Sequence, residues 1–166
     1  MGLFDKFIKI TKEIPTQEVL TAYAEGELIS IKNVNDPTFA EEILGRGVAI
    51  KPSKGELYAP VDGTVAMLFD TLHAIALTTE MGQEILLHIG IDTVELKGKY
   101  FSANVKVGQK VKAGELMIRF ENEIIQELGF DLVIPMIVTN KEKFSSFQLE
   151  DPHTVKIGEK VMVVSK

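Results

Sequence analysis

The amino-acid sequence predicts an all-β fold, a compact antiparallel β-sandwich or barrel with short helical turns and a duplicated motif. From residue 19 onward, short apolar runs alternate with glycine-containing turns, which is typical of sandwiches and barrels. Helical signals are few and brief. Two glycine turns also recur with nearly the same sequence, which favours two related halves around one core, although common turn chemistry explains short matches as well.

The elements follow in order along the chain. Short apolar runs punctuated by glycine predict eight strands, at residues 27–32, 48–51, 64–69, 73–79, 84–89, 115–121, 132–139 and 160–164. One short helix is predicted over 38–44, after Asp36 and Pro37, and another over 122–128, with Asn122 as its N-cap and Gly129 as its end. The recurring turns are VKVGQKV at 105–111 and VKIGEKV at 155–161, with a weaker pair EGEL at 25–28 and DGTV at 62–65.

The first 14 residues differ in pattern from the rest of the chain. At about 100° per residue, apolar side chains fall in one arc and three lysines in the opposite arc: Leu3, Phe4, Phe7, Ile8, Ile10 and Ile14 against Lys6, Lys9 and Lys12. This pattern is typical of a helix on a membrane surface, but a helix docked on its own domain or a frayed tail also fits. Residues 1–18 are therefore predicted as an amphipathic or flexible tail, and 19–166 as one domain.

Composition excludes several classes of protein. The chain has 166 residues, of which 45% are hydrophobic and 25% charged, as in a single globular domain. A net charge of −6 argues against nucleic acid as a partner. The absence of cysteine excludes disulfides, zinc–thiolate sites and cysteine nucleophiles. Without an apolar run of about 18 residues, we expect a cytoplasmic protein, with residues 1–14 as a candidate contact to the inner face of the membrane.

Two of the three histidines lie in neighbouring predicted strands. His73 and His88 are 15 residues apart, so a two- or four-residue loop between the strands puts both on one face, whereas a three-residue loop separates them. With Met81 and Gly82 as the loop, His88 lies opposite Ile75, and His73 is its diagonal neighbour. The sequence therefore predicts that the two imidazoles meet.

Three uses of such a pair remain open at this stage. The histidines could be half-buried and bonded to backbone carbonyls. They could bind zinc, which needs a further ligand, and Asp92 is the nearest acidic candidate. Alternatively, one neutral imidazole attacks an activated phosphoryl group while the other imidazole and the Thr71 hydroxyl stabilise charge on the phosphate oxygens. Apolar residues around the pair favour a protein as the partner in that reaction.

Several segments resemble the glucose-type enzyme IIA family of the bacterial sugar phosphotransferase system. They are MGLFDK at 1–6, FAE at 39–41, GVAIKP at 47–52, APVDGT at 59–64 and, most specifically, HIGIDTVELKG at 88–98. The resemblance extends over nearly the whole chain. It implies a compact antiparallel β-sandwich that needs no cofactor and whose active site holds two histidines.

The resemblance also implies residue roles and partners. His88 matches the histidine that accepts a phosphoryl group, as a tele-phosphohistidine, from the phosphocarrier protein HPr and passes it to the enzyme IIB domain of a sugar permease. His73 matches a supporting histidine, and Thr71 matches the hydroxyl bonded to it. Asp92 matches an acidic residue beside the site. A docking surface is implied at Phe39, Ile43, Leu44, Phe69, Ile75 and Leu86.

Two other functions compete with this interpretation. A zinc-dependent hydrolase of similar fold would use His73 and His88 as ligands, but its usual ligand motif is missing. A lipoyl- or biotin-type carrier would explain the glycine turn at 105–111, but the triplet around the modified lysine does not occur. Phosphorylation-dependent binding to regulatory protein targets is expected as an added role, because phosphorylation changes the charge at the centre of an apolar surface.

Overall fold

The structure is a computed structural model that describes residues 13–166. Of the amphipathic segment predicted at 1–14, all but the last two residues lie outside this range. The described residues form fourteen strands, two short α-helices and three 3₁₀ turns. The strands are β1 (Gln17–Thr21), β2 (Gly26–Ser30), β3 (Arg46–Pro52), β4 (Glu56–Tyr58), β5 (Gly63–Leu68), β6 (Ala74–Thr78), β7 (Glu84–His88), β8 (Phe101–Ala103), β9 (Lys110–Val111), β10 (Leu116–Phe120), β11 (Ile134–Val138), β12 (Ser146–Leu149), β13 (Thr154–Val155) and β14 (Lys160–Ser165).

The helices connect strands at the edge of the sandwich. Helix α1 spans Pro37–Ala40 and α2 spans Asn122–Glu127, and the 3₁₀ turns are Ile31–Asn33, Thr93–Leu96 and Lys141–Lys143. No helix within residues 13–166 is long and apolar enough to cross a membrane.

Three antiparallel sheets make up the fold. The large sheet has the order β13-β2-β3-β11-β7-β6-β5-β9, and two three-stranded sheets have the orders β1-β14-β12 and β4-β10-β8. The main core combines buried side chains of the large sheet, such as Ile50 and Leu87, with Leu20, Leu57 and Met162 of the small sheets. Burial of each large aliphatic side chain contributes about 1.5–3 kcal/mol. The predicted all-β fold is confirmed.

The two halves of the structure repeat the same arrangement. Strands β4 to β10 form one half, and β11 to β14 continued by β1 to β3 form the other, so the order of the large sheet reads alike from both edges. Gly63 pairs with Val111 in one half as Gly26 pairs with Val155 in the other. The recurring turns also match, because the N–H of residue 109 donates to the Lys106 carbonyl and that of residue 159 to the Lys156 carbonyl, both at 3.1 Å. The duplication predicted from the sequence repeats is therefore present.

All eight predicted strands exist, and the six that were not predicted have two to five residues. The predicted helix over 38–44 is too long, because α1 ends at Ala40 and Glu42 turns the backbone with a φ of 57°. Asn122 is the first residue of α2 and not its N-cap. Its side-chain oxygen accepts a hydrogen bond from the Gln126 side chain and caps no backbone N–H. Gly129 ends this helix with a φ of 95°, as predicted.

The first strand begins at Gln17, within the segment assigned to the tail. Gln17 pairs with Ser165 of β14. Glu18 is buried, and its carboxylate accepts hydrogen bonds from Thr79 and Gln83. The sheet therefore extends two residues into the predicted tail.

The outer face of the large sheet is only partly covered. Ile31, Val34 and Phe39, from the segment around α1, pack over Ala49 of β3 and Ile137 of β11. Beyond this cluster, β5, β6 and β7 have no covering segment of comparable size among the described residues. The outer face therefore changes from covered to open at β7, and His88 lies there.

Candidate active site

The β6–β7 hairpin has a different register from the predicted one. Ala74, not Ile75, lies opposite His88, and the loop closes when the Thr79 N–H donates to the Gln83 carbonyl. This register puts Ala74 and Ala76 on the face of His88, whereas Ile75 and Leu77 face the core. The predicted two-residue loop at Met81 and Gly82 was therefore wrong.

The two imidazoles nevertheless meet, because His73 lies outside the regular strand. The preceding Leu72 has a φ of 57°, in the left-handed region that non-glycine residues rarely adopt. The Ile89 N–H then donates to the His73 carbonyl at 2.6 Å. Since His73 no longer follows the alternation of β6, its ring reaches the ring of His88, with a centroid distance of 5.0 Å.

The hydrogen bond of His88 determines its tautomer. His88 Nδ1 lies 2.7 Å from the Gly90 carbonyl oxygen, and a carbonyl can only accept. Neutral His88 therefore carries its proton on Nδ1, and Nε2 keeps an unshared electron pair. The side chain of His88 is partly exposed.

The second imidazole is bonded to a threonine hydroxyl. His73 Nδ1 lies 2.6 Å from Thr71 Oγ1, and the hydroxyl can donate or accept. The structure thus brings together His73, His88 and Thr71, as the sequence analysis expected.

Four rings form a row across the site. Phe39 contacts His88 with a centroid distance of 5.2 Å, and Phe69 contacts His73 at 5.3 Å. The His73 and His88 planes are 82° apart. The phenylalanines therefore restrict both imidazoles from the outer sides.

Both imidazoles are neutral at neutral pH. Burial and the neighbouring His88 lower the pKa of His73 from 6.5 to about 4. Burial also lowers the pKa of His88, although the bond to Gly90 and the negative charges of Asp36 and Asp92 oppose this shift. A neutral His88 is required for nucleophilic attack, because a protonated imidazole has no free electron pair.

Asp36 is a site residue that sequence analysis missed. It acts electrostatically on His88 together with Asp92, but the sequence analysis placed it only before the predicted helix and gave it no role. It caps α1, since its Oδ1 accepts from the Thr38 N–H at 2.9 Å. Gly90 was likewise part of the specific sequence run, but nothing in the sequence marked its carbonyl as the partner of His88.

The proposed docking residues divide into exposed and buried ones. Ile43, Leu44 and Phe69 are 65%, 43% and 36% exposed, and Leu86 is partly buried. Ile75 is 0% exposed and belongs to the core, so its assignment to the docking surface was wrong. Phe39 is 4% exposed and packs against the ring of His88, so it offers almost no area to a partner.

Two further apolar side chains near these residues were not predicted. Met67 of β5 lies opposite Ala76 on the outer face and is 52% exposed. Val94, in the turn after Asp92, is 50% exposed. Asp92 itself is exposed.

The metal interpretation finds no support. Within residues 13–166, no group of three or more histidine, cysteine, aspartate or glutamate side chains could hold a metal ion. Asp92 acts on His88 only through its charge and does not complete a set of ligands. The third histidine, His153, is exposed and bonds the Asp151 carbonyl in a distant loop.

The fold and the pair of neutral imidazoles define the class of the protein, a phosphocarrier that contains a histidine pair. Residues 18–144 match the family described as phosphoenolpyruvate-dependent sugar phosphotransferase system, EIIA 1. The chain belongs to this family. It is accordingly a phosphotransferase component, for which the comparisons indicate no cofactor, and they give no support to the hydrolase alternative.

Individual relatives agree with this family. The chain is 38% identical over 162 residues to the glucose-specific EIIA component of Halalkalibacterium halodurans, covering 98% of this chain and 94% of the relative. It is 38% identical to the corresponding component of Staphylococcus epidermidis, over 95% of both chains. The glucose permease IIA structure from Mycoplasma capricolum aligns with a TM-score of 0.84 at 32% identity, over 92% of this chain and 99% of that one.

A fused relative is also similar. The chain is 47% identical over 127 residues to the beta-glucoside-specific EIIBCA component of Dickeya chrysanthemi, and the match covers 76% of this chain. It spans only 20% of that relative's length.

Proposed function

We propose that His88 Nε2 accepts a phosphoryl group from the phosphorylated histidine of HPr and passes it to the EIIB domain of a sugar permease. The Nε2 electron pair forms a bond to phosphorus as the donor N–P bond breaks. The donor imidazole keeps the electron pair of the broken N–P bond. The phosphorylated donor and phosphorylated His88 are both phosphohistidines and therefore close in energy, so the transfer is freely reversible. The single observation that carries the proposal is the Nδ1–H···O bond to Gly90, which leaves Nε2 as the nucleophile.

His73 is proposed to stabilise the transferred group. If the Thr71 hydroxyl donates to His73 Nδ1, the ring carries its proton on Nε2 and can donate to a phosphoryl oxygen held on His88. The 2.6 Å contact between Thr71 and His73 and the 5.0 Å separation of the rings support this arrangement. Positioning and electrostatics then supply most of the catalysis, as expected for a loose phosphoryl-transfer transition state.

The open part of the outer face is proposed as the docking surface. Its proposed members are five exposed apolar residues, Ile43, Leu44, Met67, Phe69 and Val94, and the partly buried Leu86. Asp36 and Asp92 add negative charge, which attracts a cationic group on a protein partner and, after phosphorylation, repels the phosphoryl group. Together these features favour a protein that docks briefly and leaves with or without the phosphoryl group.

The partners follow from the chemistry and the relatives. The Dickeya relative is named as an EIIBCA component, which supports an EIIB domain as the acceptor. HPr as the donor, a cytoplasmic location, regulatory protein targets and contact of residues 1–14 with the membrane surface are proposals of the same kind.

Intact-mass spectrometry tests the phosphoryl acceptor directly. The protein is mixed with phosphoenolpyruvate, enzyme I and HPr at neutral or alkaline pH, and each component is omitted in turn. We expect one added phosphoryl group that depends on HPr. His88→Gln should abolish it, whereas His153→Gln, the matched control at an exposed remote histidine, should leave it unchanged. Phosphorylation of the His88→Gln protein at the normal rate contradicts the assignment.

The role of His73 is tested on the donating side. His73→Gln should still accept a phosphoryl group but pass it slowly to a purified EIIB domain, because the transferred group loses its second imidazole. Transfer to EIIB is measured from the decay of the phosphorylated mass. Onward transfer at the wild-type rate shows that His73 has no such role.

A further inference from the structure

Thr93 has a buried hydroxyl group that the proposed transfer does not use. Its side chain is fully buried, and Oγ1 donates a hydrogen bond to the Ile89 carbonyl. We propose that Thr93 is a positioning residue, which holds residues 89–91 in the conformation that keeps the proton of His88 on Nδ1. The kinetic consequence rests on the proposed function of His88, but the tautomer can be measured independently.

Ile89 connects the two histidines to Thr93. The Ile89 N–H donates to the His73 carbonyl at 2.6 Å, and the Ile89 carbonyl accepts from Thr93. Ile89 itself is fully buried, so water cannot replace a lost partner of its carbonyl. The hydroxyl of Thr93 thus completes the hydrogen bonding of the residue between His88 and Gly90.

The methyl group of Thr93 acts on the next residue. Gly90 has a φ of 79°, and a Cβ atom added to it would lie 2.6 Å from Thr93 Cγ2. The methyl therefore occupies the space that a side chain at position 90 would need, so it requires glycine there. The hydroxyl of Thr93 is the group that bonds the segment, through the Ile89 carbonyl.

Backbone bonds also hold this segment. The Gly90 N–H donates to the Val133 carbonyl and the Ile91 N–H to the Asp131 carbonyl, both at 2.9 Å. These bonds and the hydroxyl of Thr93 together fix the segment. The Gly90 carbonyl then points at His88 Nδ1, 2.7 Å away.

Loss of the hydroxyl has a defined consequence for the nucleophile. The buried Ile89 carbonyl loses its donor, and the peptide between residues 89 and 90 rotates toward another partner. This rotation changes the backbone angles at Gly90, so its carbonyl, in the next peptide unit, shifts and releases Nδ1–H. His88 can then place its proton on Nε2, and in that tautomer Nε2 has no free electron pair with which to attack phosphorus.

Two substitutions separate the hydroxyl from the methyl. Thr93→Val keeps the shape and removes the hydroxyl, while Thr93→Ser keeps the hydroxyl and removes the methyl. Long-range ¹H–¹⁵N NMR spectra of the histidine rings give the tautomer of His88. Single-turnover phosphorylation by phosphorylated HPr, over a range of donor concentrations, gives the maximal rate and the apparent KM.

We expect Thr93→Val to show the Nε2–H tautomer and a maximal rate about tenfold lower, as for other lost partners that orient a functional histidine. The apparent KM should not change, because Thr93 is fully buried and does not touch the donor. Thr93→Ser should keep the wild-type tautomer and rate. Denaturant unfolding of each variant confirms that it is folded under the assay conditions.

Thr79→Val is the matched control. Thr79 is also buried, and its hydroxyl also donates to a buried acceptor, the carboxylate of Glu18. Thr79 lies at the loop end of the β6–β7 hairpin, and His88 lies at the other end. Thr79→Val should lower stability while leaving the tautomer of His88 and the rate unchanged. A general effect of losing a buried hydroxyl would instead appear in both valine variants.

Three results overturn the proposal. They are a Thr93→Val protein with the wild-type tautomer, a Thr93→Ser protein with the Nε2–H tautomer, and a Thr79→Val protein with the same tautomer change as Thr93→Val. The Ser variant keeps the test decisive if Thr93→Val does not fold. If the wild type accepts no phosphoryl group but the tautomer follows the hydroxyl, the proposed function fails and the positioning role of Thr93 stands.

Discussion

Protonation of His73 should make the protein less stable in acid. Its pKa is lowered from 6.5 to about 4 in the folded state, while the unfolded chain keeps the ordinary value. Between these two values the unfolded state binds more protons, so stability falls as the pH decreases. A difference of this size corresponds to at most about 3 kcal/mol lost between pH 7 and pH 4.

The His73→Gln variant isolates this contribution. Urea unfolding of both proteins at pH 7, 6, 5 and 4 gives two curves, and the contributions of the carboxylates largely cancel in their difference. We expect the wild type to lose up to about 3 kcal/mol more than the variant over this range. NMR titration of the His73 ring supplies the folded pKa itself.

Parallel stability curves for the two proteins, together with a His73 titration near its ordinary value of 6.5, refute the reasoning. The physical meaning would be that the ring is hydrated in spite of its 4% exposure. In that case, His73 would be neutral at pH 7 only because this pH lies above its ordinary pKa, and not because the ring is buried.

Four further changes test other parts of the structure. Gly90→Ala should lower the free energy of unfolding by about 1–3 kcal/mol, measured in urea, because its Cβ would lie 2.6 Å from Thr93 Cγ2 and the backbone has a positive φ. Phe39→Ala should cost about 3–5 kcal/mol and slow phosphorylation, since the buried ring contacts His88; wild-type phosphorylation kinetics would contradict its supporting role. Tyr23→Phe should cost about 1 kcal/mol in urea unfolding, because a buried hydroxyl donates to the Ile134 carbonyl at 2.7 Å, and it should leave the phosphorylation rate unchanged. Ile43→Asp should raise the apparent KM for phosphorylated HPr with little change in stability, whereas Val19→Asp, at an exposed position of β1, should leave that KM unchanged.

Short apolar runs separated by glycine-containing turns led to most of the fold prediction. The long strands of the large sheet, β3, β5, β6, β7 and β11, bury one or both faces and show clear patterns. The strands that were missed, such as β9 and β13, have two residues each. Such short elements have too few residues for a periodic pattern, and only their pairing with neighbouring strands defines them.

The histidine pair was predicted correctly, but from a wrong register. The prediction treated His73 as part of a regular strand, in which Ile75 would share its face. The positive φ of Leu72 breaks that alternation, and no local sequence signal marks a leucine for this conformation. Ile75 consequently faces the core, and the imidazoles meet because one of them has left the sheet.

The environment of His88 could not be predicted from the sequence, for a related reason. The contact of the Gly90 carbonyl with His88 depends on Val133 and Asp131, which are more than 40 residues away in sequence. Asp36 combines a local capping role with a long-range charge effect on His88. Local patterns reveal the first role and not the second, since the second exists only after the chain has folded.

One half of the duplicated structure comes from two separate parts of the chain, β1 to β3 and β11 to β14. This division affects the order in which strands can pair during synthesis. Strand β1 at residue 17 pairs with β14 at residue 165, and β3 pairs with β11. At about 5–20 residues per second, the ribosome needs roughly 7–30 s after making β1 before its partner exists. During that time, the contiguous half from β4 to β10, which contains both histidines, can form its internal strand pairs first. Strand β1 is therefore among the last strands to be paired, although it is made before them, and its unpaired edge is where a nascent chain of this protein most needs protection from aggregation.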